Sequence, residues 1–407
     1  MKRRVAVVSV GALSPLGPGW TEFKEGIFEH KDWFSPLPEG LPYPDGAAVD
    51  DGWLDAFYRK PGRRFKYRRY YNRATDMAVA ATFECLERVE SFGIDLRELA
   101  VFWGAGPNFD MGNVPGHATP DSTSRRTGSD AAWILLYLPN MTASAISSAL
   151  GSQGETLSYV TACSAGSHAV GEAFLKIRNR DLDVVLCGGS DSRLNREGLL
   201  AYSMLGALSP SSPNPKVLPF CQGRNGFVPG EGAAAFLLME ADLAASMGIP
   251  ILAEVAGYGA ASDGFRLTDP EPNGQGMEKA MARAIRSAGI SPDAIDLING
   301  HGTGTSMNDA AEAAAIRRIF DRPVPVTSNK SQFGHLSAAS GAMELAACLA
   351  SIESQRFTPT VNTKGLEVEE GINLVRESIP AEVSTVLSNS FGFGGQNSTI
   401  ILRRWKV

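Results

Sequence analysis

The chain has 407 residues, a formal net charge of −6, 43% hydrophobic residues and 20% charged residues. That apolar content excludes disordered and fibrous chains, because it supplies enough surface to bury in one large or two medium domains. A pI near 5.5 argues against a dedicated nucleic-acid binder, which carries a high pI or an uncompensated basic stripe.

The first element is a strand over residues 5–11. Lys2, Arg3 and Arg4 before this apolar run imitate a secretory signal, but the run is short and no small-x-small cleavage site follows. No stretch reaches the roughly 18 apolar residues that a membrane helix needs. Short β-branched runs recur at 99–106, 157–162, 184–189, 233–239, 295–302, 324–329 and 385–389. Several are apolar at nearly every position, as strands buried on both faces must be, and helical patterns such as 75–89 and 276–288 lie between them. The class is α/β. Residues 209–219 form a Pro/Ser loop inside a domain. The five cysteines, Cys85, Cys163, Cys187, Cys221 and Cys348, show neither CxxC nor Cys/His metal spacing, which suits a reducing cytoplasm.

One segment departs from the acidic whole. Arg59, Lys60, Arg63, Arg64, Lys66, Arg68, Arg69 and Arg73 follow one another with no Asp or Glu from 59 to 73, and Arg125 and Arg126 extend the pattern. A solvated helix face and a docking surface for an acidic partner both fit. Tyr67, Tyr70 and Tyr71 could stack on bases, but no RNA-binding motif surrounds them, so nucleic acid is not the expected partner.

The two halves share an order. A strand ending in Cys163, a small-residue helix over 165–177 and a strand over 182–189 correspond to a strand ending at Lys330, a small-residue helix over 338–352 and a strand over 385–389. The boundary falls near residue 250, giving units 1–250 and 251–407, the first with the cysteine and the second with two histidines.

Four segments carry chemistry. Cys163 lies between a buried strand and a helix of Ala and Gly, where the helix N-terminus lowers a thiol pKa; a nucleophile and a small buried hydrophobe both fit. His301 ends a strand in the Gly/Thr loop Gly300-His301-Gly302-Thr303-Gly304-Thr305, open to a substrate. Lys330 and His335 precede the second small-residue helix, and a lysine on so apolar a strand needs a partner, for which Glu344 is placed. The turn Phe391-Gly392-Phe393-Gly394-Gly395 offers N–H groups to an oxyanion.

Together these segments resemble the β-ketoacyl-acyl carrier protein synthases of the thiolase-like superfamily over essentially the whole chain. Leu138-Pro139-Asn140-Met141, Leu218-Pro219-Phe220 and the stretch from Gly226 to Gly232 match as well. The resemblance implies two duplicated α/β halves packed as αβαβα layers. It also implies a decarboxylative Claisen condensation. Cys163 would take the acyl chain as a thioester, His301 and His335 would support decarboxylation of malonyl-carrier protein and hold the enolate, and Lys330 with Glu344 would organise the charges. The N–H groups of Cys163 and Phe393 would hold the acyl oxyanion, Phe393 would gate, and Thr303 and Thr305 would bind the phosphopantetheine arm. No resident cofactor is implied, since that arm arrives on the carrier. Some relatives hold a monovalent cation near Asn299, Glu344 and Asn389, but no metal is assigned here.

Two histidines mark an elongating enzyme, and a retained Cys163 opposes the alternative of a catalytically silent, chain-length-factor-like partner subunit. A degradative thiolase lacks support, because its second cysteine has no counterpart in 388–397. The resemblance further implies a stand-alone type II enzyme, a homodimer or a heterodimer with a related subunit, and an acidic acyl carrier protein docked by Arg63, Arg64, Lys66, Arg68, Arg69, Arg125 and Arg126 at the pocket mouth. Cys221, Asn225, Gln396 and the segment 108–119 depart from the fatty-acid enzymes, which leaves a polyketide or polyene substrate open.

Overall fold

A computed structural model describes residues 2–110, 133–210 and 216–406. Arg125, Arg126, residues 111–119 of the 108–119 segment and residues 211–215 of the 209–219 loop lie outside the described residues. The first strands are β1 (Val5–Leu13), β2 (Ser35–Pro36), β3 (Asp45–Gly46), β4 (Ala100–Ala105), β5 (Thr156–Tyr159), β6 (Val184–Asp191) and β7 (Gly232–Glu240). The later ones are β8 (Ala253–Ser262), β9 (Leu297–Asn299), β10 (Pro325–Thr327), β11 (Asn373–Leu374), β12 (Thr385–Gly392) and β13 (Gln396–Arg404).

β2 and β3 pair with each other, and the other eleven strands join in the order β11-β10-β9-β12-β13-β8-β1-β7-β6-β4-β5. Outward from the β8–β1 join, each side runs first, fifth, fourth, second and third in its own chain order, with β11 added at one edge. The duplication in the sequence is therefore one of topology. The join itself is short: Val5 pairs with Val255, Ala6 with Glu254 and Val7 with Ala253.

β1 is buried along its whole length, so its two faces serve two cores. Val5, Val7, Val10 and Ala12 pack into the cluster shared with the central helices, while Ala6, Val8 and Leu13 face the outer cluster of the first half. The alternation breaks at the register shift between Val7 and Ser9, and the Ser9 hydroxyl is satisfied by the Cys85 carbonyl at 2.5 Å. A third cluster covers the outer face of the second half. Three apolar layers separated by strands give the αβαβα, thiolase-like arrangement.

The middle layer is made by the helices Ala165–Arg178 and Ser340–Ser354. Small residues let them touch. A Cβ on Gly166 would stand 3.0 Å from the Cβ and N of Ala342, and one on Gly341 would stand 2.7 Å from the Cβ of Ser167. Both contacts fall at the N-terminal ends of the helices, so the turns that lead into them are forced together. Cys85 and Cys348 lie on helices and Cys187 on β6, while Cys221 lies outside the named strands and forms an isolated bridge to Val368. Among the described residues no helix is long and apolar enough to cross a membrane.

Candidate active site

After β5 the chain turns through Ala162, Cys163 and Ser164 before the central helix starts at Ala165. Ala162 holds a left-handed φ of +49°, and Ser337 holds +47° in the matching turn before Ser340. Such a conformation costs a non-glycine residue about 1–3 kcal/mol and persists only where packing imposes it. One turn carries Cys163 and the other follows His335.

Cys163 is buried, with 8% exposure. The helix N-terminus alone predicts a lowered thiol pKa, but burial outweighs it. Loss of water pushes the thiol up to about 11, against the pull of the Lys330 ammonium and a hydrogen bond from the Phe393 N–H. The resting thiol is protonated at neutral pH.

Lys330 is fully buried. Its ammonium donates to Nδ1 of His301 at 3.1 Å, to the His301 carbonyl at 2.5 Å and to Glu344 Oε1. An ammonium has three protons and no lone pair, so His301 Nδ1 must accept and the ring proton resides on Nε2. His335 reaches the same state by another route: its Nδ1 accepts the Ser337 N–H at 3.1 Å and lies 2.9 Å from Ser340 Oγ. Burial, with Lys330 adding to it, holds both histidines well below their usual range. Both are neutral imidazoles presenting an Nε2–H.

Cys163 Sγ and one nitrogen from each of His301 and His335 lie within 4.8 Å of one another. They share a cavity of about 440 Å³ that Thr303, Thr305 and Phe393 also line. The Thr303 and Thr305 hydroxyls are 2.8 Å apart, and Phe393 is 40% exposed. A thiol facing two N–H donors suits a carbonyl carbon bound to sulfur with a second oxyanion beside it. A metal ion on the same three atoms would meet the Lys330 ammonium behind His301. Deeper in, Asn299 Oδ1 and Glu344 Oε2 are buried without a hydrogen-bond partner. Such orphaned oxygens fit the monovalent cation implied by the resemblance, and Asn299 and Glu344 would be the residues to hold it.

Several residues that hold this site were given no role from the sequence. Glu312 accepts the N–H groups of His301 at 2.8 Å and Gly302 at 2.9 Å, and the Asn389 amide at 3.0 Å. Burial pushes its carboxyl up to about 7. Asp309 accepts from Phe220 N–H at 2.7 Å and Gly304 N–H at 3.1 Å. The two acids fix the Gly/Thr loop from beneath. A single Glu within the alanine run 310–315 was the available signal, since a lone acid on a buried helix face needs donors.

The basic run divides. Arg63 pairs with Glu87 and stands 3.9 Å over the Phe83 ring; Arg68 reaches Asp76 at 3.3 Å and lies 3.4 Å over Tyr58; Arg73 is held by Glu231 at 2.6 Å. Their acids come from outside the 59–73 window. Lys60, Arg64, Lys66 and Arg69 are exposed, as is Arg59, 3.6 Å from Asp55. None of the run lines the cavity around Cys163.

The family model described as Beta-ketoacyl synthase, N-terminal domain, matches residues 2–244, and that described as Beta-ketoacyl synthase, C-terminal domain, matches 252–364. A 3-oxoacyl-[acyl-carrier-protein] synthase 2 of Rhizobium meliloti (strain 1021) is 34% identical over 426 residues, covering 99% of each chain. The structure of the ishigamide ketosynthase/chain length factor aligns over 100% of both chains at a TM-score of 0.88 and 29% identity. A type II PKS acyl-carrier protein in complex with its ketosynthase bound to the hexaketide aligns over 100% of both chains at 0.84 and 25%. Matched in both halves, and with a thiol facing two neutral imidazoles, the chain belongs to the β-ketoacyl synthase family of condensing enzymes.

Proposed function

We infer that this enzyme is a β-ketoacyl-acyl carrier protein synthase of the elongating, type II kind, in fatty-acid or polyketide biosynthesis. The observation that carries this reading is the convergence of Cys163, His301 and His335 within 4.8 Å, with both imidazoles fixed as donors. In the first half-reaction Cys163 sulfur attacks the thioester of an acyl-carrier protein, and the carrier's pantetheine thiol leaves with the proton. The backbone N–H groups of Cys163 and Phe393 hold the passing oxyanion. In the second, malonyl-carrier protein loses CO₂, and its electron pair forms an enolate whose oxygen is held by the Nε2–H groups of His301 and His335. The enolate carbon attacks the acyl-Cys163 carbonyl, the C–S bond breaks with its electron pair going to sulfur, which takes up a proton from solvent to restore the thiol, and a 3-oxoacyl chain two carbons longer leaves on the carrier.

The phosphopantetheine arm enters with the substrate along Thr303 and Thr305. The carrier docks through the exposed cations Arg64, Lys66 and Arg69, which suit an acidic partner; the relative complexed with its acyl-carrier protein supports that class of partner. A second ketosynthase-like chain, identical or related, pairs at the β5 edge, where Leu157 and Val160 are 38% and 48% exposed. Five buried free thiols suit a cytoplasmic setting.

The test is intact mass spectrometry after mixing the protein with acyl-carrier proteins. An acyl adduct mapped to Cys163 supports the reading, and absence of any adduct with any chain returns the silent-subunit alternative.

A further inference from the structure

β4, β5 and β6 are parallel neighbours, so their C-terminal ends open on one side, where α/β sheets bind ligands. Cys163 follows β5. The ends of β4 and β6 enclose a second cavity of about 170 Å³, whose lining among the described residues includes the polar Arg73, Asn108, Thr142, Ser190, Asp191 and Asn195 beside the apolar Ala105 and Leu194. That volume holds roughly five or six waters at about 30 Å³ each.

Behind this lining lies Arg193, 5% exposed. Its Nη2 donates to Asp191 Oδ2 at 3.1 Å, its Nε lies 3.0 Å from Oδ1, and Nη1 donates to the Pro107 carbonyl. The guanidinium stands 4.3 Å over the Phe109 ring. Asp191 also accepts the Ala338 N–H at 3.0 Å, within the turn that follows His335. The Tyr202 hydroxyl bonds to Ser337 in that same turn, two residues from His335, a nitrogen of which lies within 4.8 Å of Cys163 Sγ. The ground between the turn after His335 and the ends of β4 and β6 is thus polar and charged. A plain methylene chain driven into it would strip water from amides, hydroxyls and a carboxylate without replacing their hydrogen bonds. A chain bearing oxygen would replace them.

We propose that Arg193, acting with Asp191, is a specificity-determining residue: the acyl chain loaded on Cys163 carries a hydroxyl or keto oxygen that the pocket at the ends of β4 and β6 hydrogen-bonds, and a saturated chain of equal length is disfavoured. This rests on the reading of Cys163 as acyl acceptor.

The experiment compares rates of Cys163 adduct formation from octanoyl-, 3-hydroxyoctanoyl-, 5-hydroxyoctanoyl- and 7-hydroxyoctanoyl-carrier protein, read by intact mass. At least one hydroxylated chain loads about tenfold faster than octanoyl. That ratio falls towards one in the double variant Arg193→Leu/Asp191→Asn, and also in Asn108→Leu, which leaves the ion pair intact should the double variant fail to fold. An octanoyl chain that loads as fast as every hydroxylated one, or a ratio unchanged in the folded variants, overturns the proposal. No loading with any chain overturns the acyl-acceptor reading, and the specificity proposal with it.

Discussion

The ammonium of Lys330 stands 3.1 Å from His301 Nδ1 while its other protons go to the His301 carbonyl and to Glu344. Lys330 follows β10 and His301 follows β9, which are parallel neighbours in register at Val326 and Ile298. A lysine on one strand end therefore sets the tautomer of a histidine on the next, and Glu344 from the central helix neutralises the pair.

Lys330→Met leaves Glu344 buried without its cation, which costs about 3–5 kcal/mol of stability. Urea unfolding measures this, and Glu344→Gln in the same background recovers part of the loss. A Lys330→Met protein as stable as the wild type would mean that the ion pair carries no such weight.

In the proposed mechanism, replacing His301 or His335 by Ala removes one of the two N–H groups that hold the enolate oxygen. Condensation falls roughly 10²–10³-fold for each, the scale of a lost oxyanion donor, while Cys163 continues to take up an acyl chain. Single-turnover loading followed by malonyl-carrier protein addition separates the two steps; loss of loading would place the histidines in the first half-reaction instead.

The Cys163 thiol, raised to about 11 by burial, is the protonated form throughout the neutral range. Below that value the thiolate fraction grows about tenfold per pH unit. Alkylation by iodoacetamide accordingly climbs from pH 7 to pH 10 with no plateau, whereas an ordinary thiol levels off near its pKa of about 8.5. Cys163→Ala removes this pH-dependent alkylation and abolishes condensation.

Charge reversal at Arg64, Lys66 and Arg69 raises KM for carrier-bound substrates severalfold, spares small thioester mimics and leaves the melting temperature unchanged, because all three are exposed. Reversal at Arg63 or Arg68 acts differently: each faces an acid and an aromatic ring, so stability falls first. Equal effects on carrier-bound and small substrates would remove the exposed cations from docking.

Local chemistry was legible in the chain order. Cys163 between strand and helix, His301 between glycines, and the spacing of Lys330, His335 and Glu344 are local patterns, and they point to these residues without coordinates. The strands β1, β4, β6, β7, β9, β10 and β12 were legible because burial on both faces demands near-continuous apolar runs, whereas β5, read as a buried strand, is a part-exposed edge strand. Sequence distance hid the rest. Glu87, Asp76 and Glu231 neutralise part of a run that contains no acid of its own, and Glu312 and Asp309 support a loop from the helix that follows it. Composition and spacing by themselves determined the α/β class and the order shared by the two halves, and singled out Cys163, His301, Lys330 and His335 as candidates, because strand burial and turn chemistry depend on near neighbours; the roles of those side chains came from the resemblance. Only the tertiary structure decided that Gly166 and Gly341 bring the two central helices together, that both imidazoles carry their proton on Nε2, and that burial overrides the helix terminus at Cys163. Desolvation and hydrogen-bond partnership depend on which distant segments close over a group, and no local pattern records that.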